Sequence, residues 1–200
     1  MKYPNSFQEN NVFIPWQPST WPIPPEKYSS EFKRTLEIIF RESLINEIKN
    51  VINDAPTLEH RGHVIALSIL CAIDTLSSYA FSELKTEKCQ NCGRSDSVSP
   101  KYKKYIEEFF PEDYKPHARK IYKLYRNSIT HSWNLFQAAM LPGEEKIEES
   151  NGVIIFGLKN FFQALNNSID NFLDKLNKNE KLQESALARY RGLKQSARSG

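Results

Sequence analysis

The sequence predicts an all-α protein: a bundle of four or five helices with one small β-hairpin and an extended N-terminal arm. Apolar residues recur at three- and four-residue spacing through four long stretches, which is the period of an amphipathic helix. Glycine is scarce, with 7 in 200 residues, which disfavours Gly-rich nucleotide loops and folds built from many tight turns. Six of the 11 prolines lie in the first 25 residues and predict a Pro- and aromatic-rich arm at 1–25, whose Phe13, Trp16 and Trp21 are expected to pack against the body or a second subunit.

The first two predicted helices open a helical domain at 26–178. One runs from Ser30 to about Ile52, with apolar residues at helical spacing, and the stretch 53–57 ends it. The second runs from about Leu58 to Leu84 and is apolar around most of its circumference. A helix of that kind is usually the buried centre of a bundle.

The remaining elements follow a polar loop at 86–99. Ser99 and Pro100 have the composition of a helix start and open a short helix, and a longer one runs from about His117 towards Ala139. Asn151-Gly152, between two short runs of strand-forming residues, predicts a type I′ hairpin. The last long helix is expected at about 160–176, followed at 179–200 by a basic tail, disordered or frayed.

Charge and composition favour a cytoplasmic protein without a membrane span. The formal net charge is +3, and the stretch from Lys175 to the end carries seven basic and two acidic residues. The N-terminal residues have no signal-peptide pattern, and the longest apolar run is shorter than the roughly 20 residues that a span needs. Three cysteines, an odd number, argue against a disulfide framework.

One short motif carries potential chemistry. Arg126 is followed directly by Asn127 and five residues later by His131, in the stretch LYRNSITHSWN. This segment resembles the Arg-polar-three-residues-His signature of the HEPN superfamily, a group of helical bundles that includes many metal-independent ribonucleases. An apolar helix upstream that contains Asp74 and further helix downstream agree with that family's pattern. The resemblance covers roughly residues 30 to 178.

The resemblance implies an endoribonuclease that needs no metal or cofactor and is assembled as a homodimer. Its implied site has Arg126 as phosphate clamp and His131 as acid/base, with Asn127 and Asp74 as supporting hydrogen-bonding residues. Such an enzyme acts as a toxin or antiphage defence effector, held in some cases by a cognate antitoxin or regulatory protein. One subset of the family has a tyrosine two residues after the histidine, modified by a partner. Trp133 occupies that position here and has no hydroxyl to modify.

Helix geometry bears on this pair independently. A five-residue step turns a regular helix so that the two side chains point about 140° apart. Arg126 and His131 of one chain therefore do not share a helix face, whereas two copies meeting at a two-fold axis would line one cleft with both pairs. In RNA the 2′-hydroxyl is the nucleophile, so the protein must mainly align it, transfer protons and stabilise charge.

Other residues are candidates for binding. Five cations interleave with tyrosines between positions 101 and 123 and suit an RNA backbone: Lys101, Lys103, Lys104, Arg119 and Lys123. Cys89 and Cys92 have zinc-knuckle spacing, but a zinc site needs two further ligands, so we expect no metal there, and the alternative is a zinc-stabilised dimer in which two such pairs meet. Cys71, inside the apolar helix, is expected in the core. The alternative to a ribonuclease is a non-catalytic helical module that binds RNA or a protein partner.

Overall fold

A computed structural model describes residues 21–53, 62–84, 87–88, 95–96, 99–127, 138–143 and 145–196. The fold is mostly helical, with a small three-stranded sheet, which agrees with the predicted helical class. In chain order the elements are α1 (Ser30–Glu37), a π-helical segment (Ile38–Ile45), α2 (Asn46–Asn53), α3 (Gly62–Ala80), β1 (Glu87–Lys88), β2 (Ser95–Asp96), α4 (Ser99–Phe109), α5 (Ala118–Asn127), β3 (Ala138–Leu141), β4 (Glu148–Ser150), β5 (Val153–Gly157), α6 (Leu158–Leu176) and α7 (Glu180–Ser196).

The first helical stretch has the predicted extent. The Ser29 side chain caps α1, because its Oγ accepts a hydrogen bond from the backbone N of Phe32 at 3.1 Å. The chain then continues without interruption through the π-helical segment into α2. Phe40, in the π-helical segment, is fully buried and packs edge-on against Tyr79 of α3 at a ring-centroid distance of 5.1 Å.

Helix α3 is the centre of the bundle, as its apolar circumference predicted. It contacts α4, α6 and α7, and Ile65, Ile69 and Ile73 are fully buried. By length and composition alone it is also the one helix, among the described residues, that could cross a membrane. More than half of its apolar window is buried inside the protein, which is typical of a core helix.

The small sheet contains the predicted hairpin and one strand that the sequence did not predict. Strands β4 and β5 pair antiparallel around Asn151 and Gly152, whose φ values of 51° and 80° are those of a type I′ turn. Strand β3 pairs in parallel with β5 and completes the order β3-β5-β4. Residues 138–141 were expected near the end of a helix. This was wrong because a short apolar run fits a buried strand as well as a helix, and here β5 supplies a hydrogen-bonding edge.

A second, two-residue ladder lies within the segment expected to be a polar loop. Strands β1 and β2 pair antiparallel, with Glu87 opposite Asp96 and Lys88 opposite Ser95. Together with β3, this ladder makes the fold richer in strands than the predicted bundle with one hairpin.

Residues 180–196 form a packed helix, which corrects the tail expected at 179–200 over that range, and residues 197–200 lie outside the described part of the chain. Helix α7 buries Leu182, Ala186, Leu187 and Tyr190 against the rest of the bundle. These residues lie on one side of a helix, and of the basic residues of α7 only Lys181 is exposed. The basic residues therefore belong to a packed helix, in which Arg191 and Lys194 donate hydrogen bonds to carbonyl oxygens of the arm, and they do not indicate disorder.

The end of the N-terminal arm docks on α7. Trp21 is buried, with 8% of its surface exposed, and its ring stacks on Tyr190 at 5.4 Å. Lys194, itself buried, donates a hydrogen bond from Nζ to the Trp21 carbonyl oxygen at 2.6 Å. Trp21 was expected to pack against the body. The same expectation for Phe13 and Trp16 concerns positions outside the described residues.

Candidate functional site

The predicted catalytic residues have different places in the structure. Arg126 and Asn127 lie in the last turn of α5, where the structure describes the backbone only. His131 lies outside the described residues. Asp74 lies in the C-terminal half of α3 and lines a cavity between α3, α4 and α7. Of the predicted site residues, the described structure therefore brings together Asp74 and Lys101, and it says nothing of the Arg126–His131 geometry.

This cavity, which we call the α3–α4–α7 cavity, has a volume of about 560 Å³. Three elements and a turn line it. The C-terminal half of α3 contributes Asp74 and several hydroxyl side chains, and the turn after α3 contributes Ser82 and Glu83. Helix α4 contributes Lys101, and α7 contributes Arg189 and Gly192. Two cations, two carboxylates and several hydroxyl groups thus face one space.

Hydrogen bonds around Ser82 fix the walls of the cavity. The backbone N of Ser82 donates to Oγ of Ser185 on α7 at 2.6 Å, and the two hydroxyl oxygens lie 2.9 Å apart. Lys101 donates from Nζ to the Ser82 carbonyl oxygen at 2.9 Å. Ser82, in the turn after α3, therefore positions both Ser185 of α7 and Lys101 of α4.

Burial and the charges around the cavity both act on Lys101. Partial burial, and then the positive charge of Arg189, lower the pKa of Lys101, while Glu83 and Asp74 raise it by smaller amounts. Repulsion from Arg189 thus changes the pKa of Lys101 more than the attraction of either carboxylate does. Nε of Arg189 is buried and has no hydrogen-bond acceptor among the described residues. Lys101 and Arg189 therefore share the cavity with the carboxylates of Asp74 and Glu83, and the Nε donor of Arg189 is unused among the described residues.

The serine and threonine hydroxyl groups of α3 can act as hydrogen-bond acceptors, because their protons are already donated within the helix. Ser77 donates to the Asp74 carbonyl oxygen at 2.8 Å, and Ser78 donates to that of Thr75 at 2.7 Å. Thr75 in turn donates to the Cys71 carbonyl oxygen at 3.2 Å. Since each hydroxyl proton is engaged within the helix, the oxygens that remain act as hydrogen-bond acceptors.

The five cations that were predicted to bind RNA differ in their exposure and in their contacts. Lys101 lies at the α3–α4–α7 cavity, whereas the other four side chains are exposed. On α4, Lys103 pairs with Glu107 at 3.4 Å, and Nζ of Lys104 lies 4.5 Å from the centre of the Phe81 ring. Arg119 and Lys123 are one helical turn apart on α5 and so share a face.

Arg189 is the site residue that the sequence did not reveal. The basic composition of 179–200 predicts a disordered or frayed tail, whereas Arg189 lies on α7 and lines the cavity. Leu182, Ala186 and Tyr190 follow one another at four-residue spacing, and this pattern predicts a packed helix that carries Arg189 into the bundle.

The cysteines divide into one described residue and two outside the described part. Cys71 is exposed on α3, which corrects its expected place in the core: its side of the helix faces away from the neighbouring helices. Partial desolvation by the helix and the negative charge of Asp74 raise the pKa of the Cys71 thiol. Cys89 and Cys92 lie outside the described residues. Within the described ranges no three His, Cys, Asp or Glu side chains form a cluster suited to a metal ion.

The chain was compared with models of protein families, with curated proteins and with solved structures, and none of the three comparisons found a match.

Proposed function

We propose that this protein is a metal-independent endoribonuclease of the HEPN type. The observation that carries the proposal is the packing of α5, the helix that bears Arg126 and Asn127, against α3 and α4. Helix α3 bears Asp74 and α4 bears Lys101, so the motif helix belongs to the same group of helices as the α3–α4–α7 cavity. A mostly helical fold around a buried central helix supports the same proposal.

In the proposed reaction the RNA 2′-hydroxyl attacks the adjacent phosphorus, and the bond to the 5′-oxygen of the next nucleotide breaks. His131 takes the hydroxyl proton or protonates the leaving oxygen, because an imidazole titrates near neutral pH. Arg126 donates hydrogen bonds to the phosphate oxygens and stabilises the charge that builds in the transition state. The products are a 2′,3′-cyclic phosphate and a 5′-hydroxyl.

The proposed site is completed by a second copy of the chain. Side chains five positions apart on a regular helix diverge by about 140°, so the sequence spacing predicts that one chain presents Arg126 and His131 in different directions. A two-fold axis brings two such pairs into one cleft. Light scattering at micromolar concentration tests this arrangement, and a strict monomer that retains full activity would contradict it.

The exposed cations of α4 and α5 supply the proposed contact with the RNA backbone. Lys104, Arg119 and Lys123 are exposed, and phosphate contacts of this kind carry affinity without base specificity. The same surface also favours the second candidate function, a helical module that binds RNA without cutting it.

Cleavage of RNA in the presence of EDTA tests the proposed function. The wild-type protein is compared with His131→Ala and Arg126→Ala. The matched controls are His63→Ala and Arg34→Ala, which change exposed side chains on α3 and α1. Losses of about 100-fold or more are expected for the two motif variants only, since general acid–base catalysis alone contributes about 10²–10⁴-fold.

The end groups and the pattern of inactive variants decide between the two candidates. Cyclic phosphate ends from the wild type and both controls, but from neither motif variant, support the ribonuclease. Five equally inert proteins that still bind RNA support the binding module. Equal cleavage by all five contradicts the assigned site.

A further inference from the structure

The α3–α4–α7 cavity has the features of a ligand site that the cleavage motif does not use. Its volume of about 560 Å³ lies within the range of about 300–1,000 Å³ that small-molecule sites usually have. Its positive and acceptor groups come from separate elements, since Lys101 is on α4 and Arg189 on α7, whereas Asp74 and the hydroxyl oxygens belong to α3. A ligand that fits must therefore carry an anionic end and an end that donates hydrogen bonds.

The cationic end is suited to a phosphate group. Lys101 Nζ uses one of its three donors on the Ser82 carbonyl oxygen, at 2.9 Å, which leaves two donors for a ligand. Nε of Arg189 is buried and has no acceptor among the described residues. An oxyanion between the two side chains would relieve their mutual repulsion and satisfy that donor.

The acceptor end is suited to the hydroxyl groups of a sugar. Thr75 and Ser78 have committed their protons to carbonyl oxygens of their own helix, at 3.2 and 2.7 Å, and therefore offer lone pairs. The carboxylates of Asp74 and Glu83 are acceptors when ionised. No aromatic ring is among the described residues that line the cavity, so a base would have no stacking partner there.

From this arrangement we infer that the α3–α4–α7 cavity binds a ribose phosphate, with the phosphate between Lys101 and Arg189 and the sugar hydroxyls on the α3 side. The ligand is either a free mononucleotide or a nucleotide within an RNA strand. The inference rests on the proposed function, because that function is the reason to choose ribose phosphate over other ligands that combine an anionic group with hydrogen-bond donors. The site does not include Arg126 or His131, although Asp74, a supporting residue of the implied cleavage site, lines it.

Calorimetric titration of the full chain tests this site, in the His131→Ala background so that RNA stays intact. The probes are ribose 5-phosphate, AMP, UMP and a short RNA. We expect ribose 5-phosphate to bind, and AMP and UMP to bind within about threefold of each other because nothing stacks on the base. Binding of the mononucleotides identifies a free ligand, and binding of the RNA alone identifies the strand. Either result supports the site, and no binding by any of the four probes overturns it.

Substitutions locate the binding to the cavity. Arg189→Gln is expected to weaken binding about 10- to 100-fold, as for the loss of a hydrogen bond between charged groups. The matched control, Lys181→Gln, removes one positive charge from an exposed position on the same helix about two turns earlier, and should leave the affinity within about twofold. Equal affinities for wild type and Arg189→Gln would overturn the site.

A second pair of variants covers the case in which Arg189→Gln fails to fold. Gly192 lines the cavity, and a Cβ atom added there meets no other atom within 4 Å, so a longer side chain fits. Gly192→Glu brings a carboxylate beside Arg189 and should abolish binding, whereas Gly192→Gln is almost isosteric and should retain more of it. Equal binding by the two variants would overturn the phosphate assignment. Binding of free glutamate but not of ribose 5-phosphate would overturn the ribose phosphate itself.

A result against this site leaves the proposed function standing, whereas failure of the proposed function removes only the reason for choosing ribose phosphate over other ligands of the same chemistry. Cleavage that depends on His131 can persist when ribose 5-phosphate does not bind. Conversely, binding that depends on Arg189 can persist in a protein that never cuts RNA.

Discussion

The Tyr190 hydroxyl donates a hydrogen bond to the Pro22 carbonyl oxygen at 2.7 Å, joining two residues that are 168 positions apart in the sequence. The same ring stacks on Trp21, so this one side chain fastens the end of the N-terminal arm to α7. Nearby, Arg191 donates to the carbonyl oxygens of Pro25 and Glu26 at 2.8 and 2.6 Å. The two ends of the described chain thus stabilise each other.

Removal of the Tyr190 hydroxyl measures how much its hydrogen bond to Pro22 contributes to the free energy of unfolding. Tyr190→Phe keeps the ring and its stacking but leaves the Pro22 carbonyl oxygen without this donor. We expect the free energy of unfolding to fall by about 1 kcal/mol, the usual net value of such a bond. Urea denaturation followed by circular dichroism gives the value.

Tyr79→Phe is the matched control. Tyr79 is fully buried on α3, and its hydroxyl has no hydrogen-bond partner among the described residues. Deleting an unsatisfied hydroxyl should leave the free energy of unfolding unchanged or raise it. A larger loss for Tyr79→Phe than for Tyr190→Phe would contradict this assignment of the two hydroxyl groups.

Truncation after Lys178 tests whether α7 belongs to the folded body. Leu182, Leu187 and Tyr190 are each almost fully buried, and the burial of one such side chain contributes about 1.5–3 kcal/mol. Their loss is comparable with the whole stability of a typical domain, about 5–15 kcal/mol. We expect the chain 1–178 to lose cooperative urea unfolding and near-UV dichroism. A chain 1–178 with the midpoint of the full-length protein would show that α7 is dispensable.

Two glycine-to-alanine substitutions should act in opposite directions. Gly152 lies at the hairpin turn with a φ of 80°, so Gly152→Ala is expected to cost about 1 kcal/mol through left-handed backbone strain. Gly192 is inside α7 with open space around its Cα, so Gly192→Ala should stabilise the protein by about 0.5–1 kcal/mol. Thermal unfolding of both variants measures the signs, and equal signs would contradict one of the two local conformations.

The ion pair between Lys120 of α5 and Glu149 of β4 gives a pH-dependent prediction. The hydrogen bond from Lys120, and then the charges of Lys120 and His117, lower the pKa of Glu149 below its ordinary 4.5. A lowered carboxyl pKa stabilises the folded state above the unfolded pKa, and this contribution disappears as pH falls through the folded pKa. Lys120→Gln should therefore raise the pKa of Glu149 towards 4.5.

Carbon-detected NMR titration of the glutamate carboxyls measures that midpoint. Lys123→Gln is the control, because Lys123 is exposed on the same helix and makes no ion pair with Glu149 among the described contacts. The difference in stability between wild type and Lys120→Gln should shrink as pH falls below about 4.5. An unchanged Glu149 midpoint in Lys120→Gln would contradict the pairing.

Local patterns in the sequence were sufficient to predict the elements that neighbouring residues stabilise. The helical period of Phe32, Leu36 and Ile39 identified the first helical stretch, and the all-round apolar character of residues 62–80 identified the central helix. Asn151-Gly152 identified the hairpin because both residues tolerate positive φ. In each case the side chains within one short window carry the physical cause.

Such patterns did not predict the elements that form by pairing or packing with a distant part of the same chain. Residues 138–141 are a strand because β5, some 16 positions later, offers a parallel edge. Residues 180–196 are a packed helix because α3 and the arm bury their apolar face. For the same reason Arg189 and Lys101, 88 positions apart, could not be paired from the sequence.

By itself the sequence determined the helical class, the central helix, the hairpin turn and the motif at Arg126 and His131. Only the tertiary structure decided that the C-terminal residues close the bundle and that Asp74, Lys101 and Arg189 share one cavity. The physical reason is that helix period and turn conformation arise from neighbouring residues, whereas the meeting of α3, α4 and α7 arises from the burial of apolar faces far apart in the chain.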